Sequence, residues 1–182
     1  MSGHVLEQLR RLLRDEGGLM ATLVDPEPRV DGAGGPGTAS GPAQLAARGP
    51  RTEGRRAEYE LLVEAIYEGY LLHYGCPRVV RAPDADLGVL AGDRLYAIGL
   101  ARLVALGDAM AVAELADTIT LSSLAQGAGE PALADVVWAA GARAVGWGSS
   151  DVHRRAKELV HSGAPEAIEA MRTSAAAVPA SP

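Results

Sequence analysis

From residue 56 onward, the sequence is a succession of helical patterns separated by short turns that contain Gly, Pro or Asp. The clearest pattern runs from Arg56 to Tyr74, where apolar and aromatic side chains cover one face of an amphipathic helix. Its acidic residues recur at every fourth position of the other face: Glu60, Glu64 and Glu68. No stretch alternates apolar and polar residues over the length of a half-buried strand. Because Ala and Leu are abundant and aromatics scarce, the sequence predicts an all-α helical bundle of roughly four to six helices.

Further helices follow in the predicted bundle, and capping residues indicate where several of them begin. These helices are Leu87–Leu106, Ala109–Gln126, Ala132–Val145, Asp151–His161 and Pro165–Met171. Asp86 and Asp108 precede the first two, where a carboxylate accepts hydrogen bonds from first-turn N–H groups. Pro131 suits the first position of the third. The first is apolar nearly all round, which indicates a central position in the bundle.

The first part of the chain has a different composition. Val5–Asp15 is a short amphipathic helix whose Leu side chains form one stripe. From residue 25 to residue 55, Gly and Pro recur with almost no large apolar residue, so this segment lacks the surface needed to offset its ordering entropy. We therefore predict four regions: an N-terminal amphipathic helix over 1–24, a disordered linker over 25–55, a helical bundle over 56–172 and a disordered tail over 173–182.

Charge and apolar content exclude several classes of protein. The net charge is −6, whereas a general nucleic-acid binder needs a basic surface. The most apolar window, Leu87–Leu106, contains three charged residues, so we expect no transmembrane segment. Charged residues also interrupt Met1–Leu13, which therefore lacks the core of a signal peptide. Cys76 is the only cysteine and cannot form an intramolecular disulfide, which fits a cytoplasmic location.

No residue pattern in the sequence indicates a catalytic centre, a cofactor site or a metal site, and we expect none. The four histidines are scattered, and we expect them to be solvated at the surface: His4, His73, His153 and His161. No Gly-rich loop joins a strand to a helix, and the motif Gly-x-Ser-x-Gly is absent. Gly146–Ser150 contains serines, but the sequence shows no adjacent base that would activate them.

Three aspartates and one aromatic stripe leave alternatives open. Asp84 and Asp86 have a spacing that suits Mg²⁺; alternatively, Asp86 caps a helix and Asp84 is solvated. Asp93 lies inside the most apolar helix, where a buried carboxylate needs a partner, and a structural role is favoured over a catalytic one. Aromatic residues at i, i+3 and i+7 are typical of a core and also suit an interface anchor: Tyr67, Tyr70 and Tyr74.

A resemblance to a known family lies in the middle of the chain, where Leu87–Asp108 reads Leu-Gly-Val-Leu-Ala-Gly-Asp-Arg-Leu-Tyr-Ala-Ile-Gly-Leu-Ala-Arg-Leu-Val-Ala-Leu-Gly-Asp. It resembles the helix of trans-polyprenyl diphosphate synthases that opens with Leu-Ala-Gly-Asp, here Leu90–Asp93, and is followed by a Leu-Gly-Asp turn. Upstream, Glu64–Tyr74 is similar in placement to the family helix that carries the first aspartate-rich motif, with His73 where that helix has His-Asp-Asp. Downstream, Ala109–Gly127 resembles the next family helix.

The resemblance covers Arg56 to Gly127 and implies an isoprenoid-synthase-like fold in truncated form. Active members of the family carry two Asp-Asp-x-x-Asp-type motifs that hold Mg²⁺ against the substrate diphosphates. This chain has no Asp-Asp pair, and Tyr74 and Gly75 follow His73. Because nothing would then position the metal ions that neutralise the leaving diphosphate, we expect that the chain alone does not condense isoprenoids.

The chain is closest in character to the small, non-catalytic subunit of heterodimeric hexaprenyl and heptaprenyl diphosphate synthases. The resemblance therefore implies a catalytic synthase subunit as partner, in isoprenoid and menaquinone side-chain biosynthesis. In family dimers the two helices after the first motif make the subunit contact, so the implied contact residues are Leu95, Ile98, Arg102, Leu121 and Leu124. The alternative is a helical protein–protein interaction module unrelated to prenyl synthesis. An independent enzyme that uses the three aspartates on a diphosphate ligand is least favoured.

Overall fold

Helices account for 80% of the residues that the structure describes, and no strand is among those residues. The computed structural model describes residues 2–26 and 41–177. Within these ranges the α-helices are α1 (Ser2–Glu16), α2 (Gly18–Leu23), α3 (Pro42–Ala47), α4 (Arg56–Tyr74), α5 (Ala85–Ala105), α6 (Ala109–Gly127), α7 (Pro131–Trp147), α8 (Asp151–His161) and α9 (Ala167–Ala176). A 3-10 turn over Pro50–Arg55 precedes α4. The predicted all-α class is confirmed. None of the described helices combines the length and the apolarity needed to cross a membrane.

Helices α4 and α5 pack extensively against each other, and glycines on both helices allow their close approach. A Cβ atom added at Gly69 would lie 2.9 Å from the carbonyl oxygen of Gly92, and one added at Gly99 would overlap the side chain of Ile66. Larger residues at these positions would push the helices apart. The glycine of the Leu-Ala-Gly-Asp stretch therefore serves the packing of α5 on α4.

The buried apolar residues form two clusters. The larger is built mainly from α3, α4 and α6 to α9 around Trp138, which is 1% exposed. The smaller joins α1 and α2 to α5 and to the loop before it, through residues such as Leu9, Leu13, Val79 and Leu95. The N-terminal amphipathic helix is therefore part of the folded body, because its Leu stripe is buried against the bundle.

The predicted disordered linker is wrong for residues 41–55. There α3 and the 3-10 turn pack between α4 and α7, and the alanines of α3 are buried in the larger cluster. The Thr52 hydroxyl donates to the carbonyl oxygen of Ala46 (2.8 Å), and the Arg51 guanidinium donates to that of Val145 (2.6 Å). Small residues here allow tight docking instead of indicating disorder. Residues 27–40 of the predicted linker lie outside the described residues.

The predicted disordered tail also begins too early. Helix α9 continues to Ala176, and Ser174 is buried within the bundle. The helix extends because its Ala-rich end packs against α7 and α8, a tertiary contact that composition does not reveal. Residues 178–182 of the predicted tail lie outside the described residues.

Two of the three predicted helix starts are confirmed. Asp108 caps α6, accepting from the N–H of Ala111 (3.1 Å), and Pro131 occupies the first turn of α7. The prediction for α5 is wrong, because Asp84 rather than Asp86 is the cap and accepts from the N–H of Leu87 (2.8 Å). The helix begins before the apolar run does, since its first two residues are exposed to solvent.

The tyrosine stripe of α4 passes from the core to the surface. Tyr70 is buried, and its ring lies 5.2 Å from that of Trp138 on α7. Tyr67 meets the same Trp edge-on at 4.9 Å, whereas Tyr74 is 44% exposed. Aromatic rings thus fill the space between α4 and α7, and Gln126 of α6 donates to the Tyr70 hydroxyl (2.7 Å).

Candidate functional site

Three of the five residues predicted to contact a partner are buried in the chain's own core. Leu95 and Ile98 belong to the smaller cluster, and Leu121 belongs to the larger one. They are therefore not available at the surface of this fold, and the sequence could not reveal this because both helices are apolar on several sides. Arg102 is half-exposed and pairs with Glu16 of α1 (2.8 Å). Leu124 is 45% exposed.

Apolar side chains remain uncovered on the outward side of α5 and α6. Leu90 is 59% exposed and Val104 is 63% exposed, and both lie on α5. On α5 the positions Leu90, Ala97, Ala101 and Val104 are three, four or seven residues apart and share one side of the helix, which also carries the exposed Arg94. On α6 the positions Ala113, Ala116 and Leu124 share one side in the same way, together with the exposed Asp117. We call this surface the α5–α6 face; its members are Leu90, Ala97, Ala101, Val104, Ala113, Ala116 and Leu124. Uncovered apolar surface of this kind typically indicates a site of protein interaction.

The three aspartates considered for a metal or a diphosphate do not form one site. The Asp84 carboxylate caps α5, and Asp86 is exposed in the first turn of the same helix. Asp93 was expected to be buried, but its side chain is 63% exposed and lies 3.2 Å from His73. Among the described residues, no three His, Cys, Asp or Glu side chains are grouped as metal ligands would be.

The acidic face of α4 turns inward instead of toward solvent. One oxygen of Glu68 accepts from the backbone N–H groups of Arg78 and Val79 (both 2.6 Å) and of Val80 (3.2 Å). The Arg78 guanidinium lies 3.3 Å from the other oxygen of Glu68 and 2.5 Å from Glu64. Burial raises the pKa of Glu64, while the charge of Arg78 opposes that rise. This buried cluster fastens the loop between α4 and α5 to α4.

A hydrogen-bonded chain of three side chains links α6, α8 and α9, and the sequence analysis missed it. His153 Nε2 lies 3.0 Å from Glu114 Oε2, and His153 Nδ1 lies 2.8 Å from Ser174 Oγ. All three residues are buried, so the prediction of a solvated His153 is wrong. The three residues are far apart in sequence, and His153 lies on the most polar-looking helix; no local signal could have brought them together.

The Glu114 carboxylate is held in its charged form. Burial alone would raise its pKa, but the hydrogen bonds from His153 and Lys157 outweigh that effect and lower the pKa to about 2. Lys157 lies 3.0 Å from Glu114 and 2.6 Å from Asp117. An ionised carboxylate accepts only, so the Nε2 atom of His153 carries the hydrogen in this pair. In the neutral ring with its hydrogen on Nε2, Nδ1 is the atom that accepts the hydroxyl hydrogen of Ser174.

A surface cavity of about 270 Å³ opens beside this chain of hydrogen bonds. Both Ser174 and His153 line it, together with residues from the end of α7 and the loop that follows it. The Arg143 guanidinium lies 4.8 Å over the ring of Trp147 at the same cavity. Within the part of the chain that the structure describes, no carboxylate pairs with this guanidinium. The cavity therefore combines an apolar wall, a hydroxyl–imidazole pair and an available cation.

Comparison of the chain with protein-family models, with curated proteins and with solved structures finds no match. The resemblance of the sequence to polyprenyl diphosphate synthases therefore rests on the motifs described under Sequence analysis. Function resides in the surfaces and sites that a fold carries, and this fold carries the α5–α6 face and the cavity beside Ser174.

From the lowered pKa of Glu114, we predict how the stability of the protein changes at acid pH. The stabilisation that ionised Glu114 gives the folded state is complete above the ordinary pKa of 4.5 and is lost as the pH falls toward about 2. It is lost because the carboxylate binds a proton more readily in the unfolded chain than in the folded one. Between about pH 6 and pH 3, the free energy of unfolding should fall less in Glu114→Gln than in the wild type. Urea unfolding at both pH values measures this, with exposed Glu166→Gln as the control. An equal decrease in the free energy of unfolding of the wild type, Glu114→Gln and Glu166→Gln would contradict the prediction.

Proposed function

We propose that this chain is a non-catalytic subunit that binds a catalytic long-chain trans-polyprenyl diphosphate synthase through the α5–α6 face. The observation that carries the proposal is the exposure of Leu90, Val104 and Leu124 on α5 and α6. The sequence resemblance implies that these two helices make the subunit contact. Exposed aliphatic side chains separated by alanines let a partner helix approach closely and bury apolar area. The same proposal includes an isoprenoid-synthase-like arrangement of α4, α5 and α6.

The placement of the two motif positions supports this proposal. His73, at the end of α4, stands where the family has its first acidic motif, and Asp93 on α5 ends the Leu-Ala-Gly-Asp stretch. The two side chains are 3.2 Å apart, so the elements that carry the resemblance meet in space. The His73 ring also stacks on Tyr96 of α5 at 5.4 Å.

The interior of the bundle supports a non-catalytic role. The rings of Tyr67, Tyr70 and Trp138 fill the space between α4 and α7. Where an active synthase presents carboxylates for Mg²⁺, this chain has Tyr74 and Gly75. A chain with this interior contributes a surface to an assembly, and the partner contributes the diphosphate site.

The test is co-expression with the aspartate-rich synthase encoded in the same genome, followed by pull-down and a product assay with isopentenyl and allylic diphosphates. We expect a stable pair whose activity neither chain shows alone. Val104→Asp places a charge on the α5–α6 face and should weaken the pair by about tenfold or more. Val152→Asp is the matched control, because Val152 is 47% exposed on α8, away from that face.

Two results would overturn the proposal. One is the absence of a complex and of any change in product when both chains are present. The other is a complex that Val104→Asp and Val152→Asp weaken equally, because binding would then not use the α5–α6 face. Binding of this face to a helical protein that is not a synthase would favour the alternative of a general interaction module.

A further inference from the structure

We propose that the cavity beside Ser174 is a hydrolytic active site for short, negatively charged acyl esters. Ser174 is the nucleophile, His153 is the general base, and Glu114 orients the imidazole. This inference is independent of the α5–α6 face, because its residues are the buried Glu114, His153 and Ser174 and the end of α7. The non-catalytic role proposed above refers to prenyl condensation, and the hydrolytic site is a separate activity of the same chain. It concerns residues outside the region that resembles polyprenyl synthases, apart from Glu114.

The hydrogen-bond directions are those that activation of a serine requires. In the neutral imidazole whose hydrogen lies on Nε2, the Nδ1 lone pair of His153 faces the Ser174 hydroxyl at 2.8 Å. The hydroxyl therefore donates to the nitrogen that would take its proton. Lys157, 3.0 Å from the same carboxylate oxygen, fixes Glu114 in turn. Nucleophile, base and orienting group thus form one continuous chain.

The base is also held rigidly by the backbone of α8. The backbone N–H of His153 donates to the Ser150 hydroxyl, which caps the helix (3.1 Å). The N–H groups of Asp151 and Val152 belong to the same first turn and have no acceptor within the helix. Ser149 and Ser150 both line the cavity, so this end of α8 borders it. Free first-turn N–H groups are donors of the kind that stabilise a developing oxyanion.

The lining of the cavity selects the class of substrate. The volume of about 270 Å³ accommodates a short acyl group. Ala140, Ala144 and Trp147 form an apolar wall, and Arg143 supplies a guanidinium without a carboxylate partner among the described residues. A carboxylate on the substrate would pair with that guanidinium. Monoesters of short dicarboxylic acids have both a short acyl chain and a free carboxylate.

The reaction balances with water as the only co-reactant. The Ser174 oxygen forms a bond to the ester carbonyl carbon while its proton moves to His153 Nδ1. The bond from that carbon to the alcohol oxygen then breaks, and the alcohol takes the proton from His153. Water repeats the sequence on the acyl-serine: its oxygen bonds to the carbonyl carbon, its proton passes through His153 to Ser174, and the free acid leaves.

The first experiment treats the full-length chain with a fluorophosphonate probe, which labels base-activated serines with loss of fluoride. Peptide mapping by mass spectrometry should place the label on Ser174. Ser174→Ala should lose the label, whereas Ser162→Ala, at an exposed serine after α8, should keep it. Label on other residues, or no label on the folded wild type, would overturn the proposal. The wild-type mapping decides the question even if a variant does not fold.

The second experiment measures turnover of 4-nitrophenyl acetate and of the mono-4-nitrophenyl ester of succinic acid. Ser174→Ala should lower kcat/KM for both by about 10²-fold or more. Arg143→Gln should raise KM for the succinate ester and leave that for the acetate ester unchanged. Turnover that persists in Ser174→Ala would overturn the catalytic assignment. An equal change in KM for both esters would overturn the assignment of Arg143 to the substrate carboxylate.

Discussion

Glu68→Ala is expected to lower the free energy of unfolding by about 3 to 5 kcal/mol, because it removes one carboxylate of a buried charge cluster and leaves that carboxylate's partners behind. Glu68 is completely buried, and one of its oxygens accepts three backbone N–H groups from residues 78–80. Alanine would leave those donors without an acceptor in a place that water does not reach. It would also remove one of the two carboxylates that compensate the Arg78 charge.

Urea unfolding of the wild type, Glu68→Ala and Glu58→Ala at neutral pH measures this loss. Glu58 lies on the same helix, and its exposed carboxylate pairs with Arg55 at 3.8 Å. An exposed pair of this kind contributes about 1 kcal/mol or less. If the two variants unfold with free energies within about 1 kcal/mol of each other, the buried cluster does not hold the loop as described.

Gly49→Ala is expected to destabilise the protein by about 1 to 3 kcal/mol or more, because the helix α7 leaves no room for a side chain there. A Cβ atom at Gly49 would overlap the backbone of Gly146 on α7. Backbone atoms cannot rotate away as the end of a flexible side chain can, so the segment 41–55 or α7 would have to shift. The conformation of Gly49, with φ −72° and ψ 155°, is open to alanine, so the expected loss is purely steric.

Gly54→Ala is the matched control, since no atom would lie within 4 Å of the added Cβ. Its effect on stability is expected to stay within about 1 kcal/mol. Thermal and urea unfolding of both variants compare the two positions. Equal effects at Gly49 and Gly54 would contradict the docking of the 3-10 turn against α7.

The helices after residue 56 could be predicted because their signals are local. Periodic apolar residues, the Asp108 cap and Pro131 act within one or two turns, and the structure places helices accordingly. The prediction of disorder over 41–55 was wrong, because a segment rich in small residues has the same composition whether it is a flexible linker or packs tightly against helices. The alanines of α3 are buried only because α4 and α7 lie beside them.

The direction in which polar residues point was not predictable. In the sequence, Glu64 and Glu68 resemble a solvated stripe of a helix. In the structure they are buried and pair with Arg78 of the following loop. His153 has no partner within its own helix pattern, and Glu114 and Ser174 reach it from two other helices. Leu95 and Ile98 looked like interface residues, yet α1 and α2 cover them.

By itself, the sequence determined the all-α class, the order of the helices after residue 56 and several of their ends, because periodicity, caps and breakers act over a few neighbouring residues. Only the tertiary structure decided which faces are covered, which leaves Val104 exposed and Leu95 buried on the same helix. It alone brought Glu114, His153 and Ser174 together. The physical reason is that burial and ion pairing depend on contacts between segments distant in the chain, which no local pattern encodes.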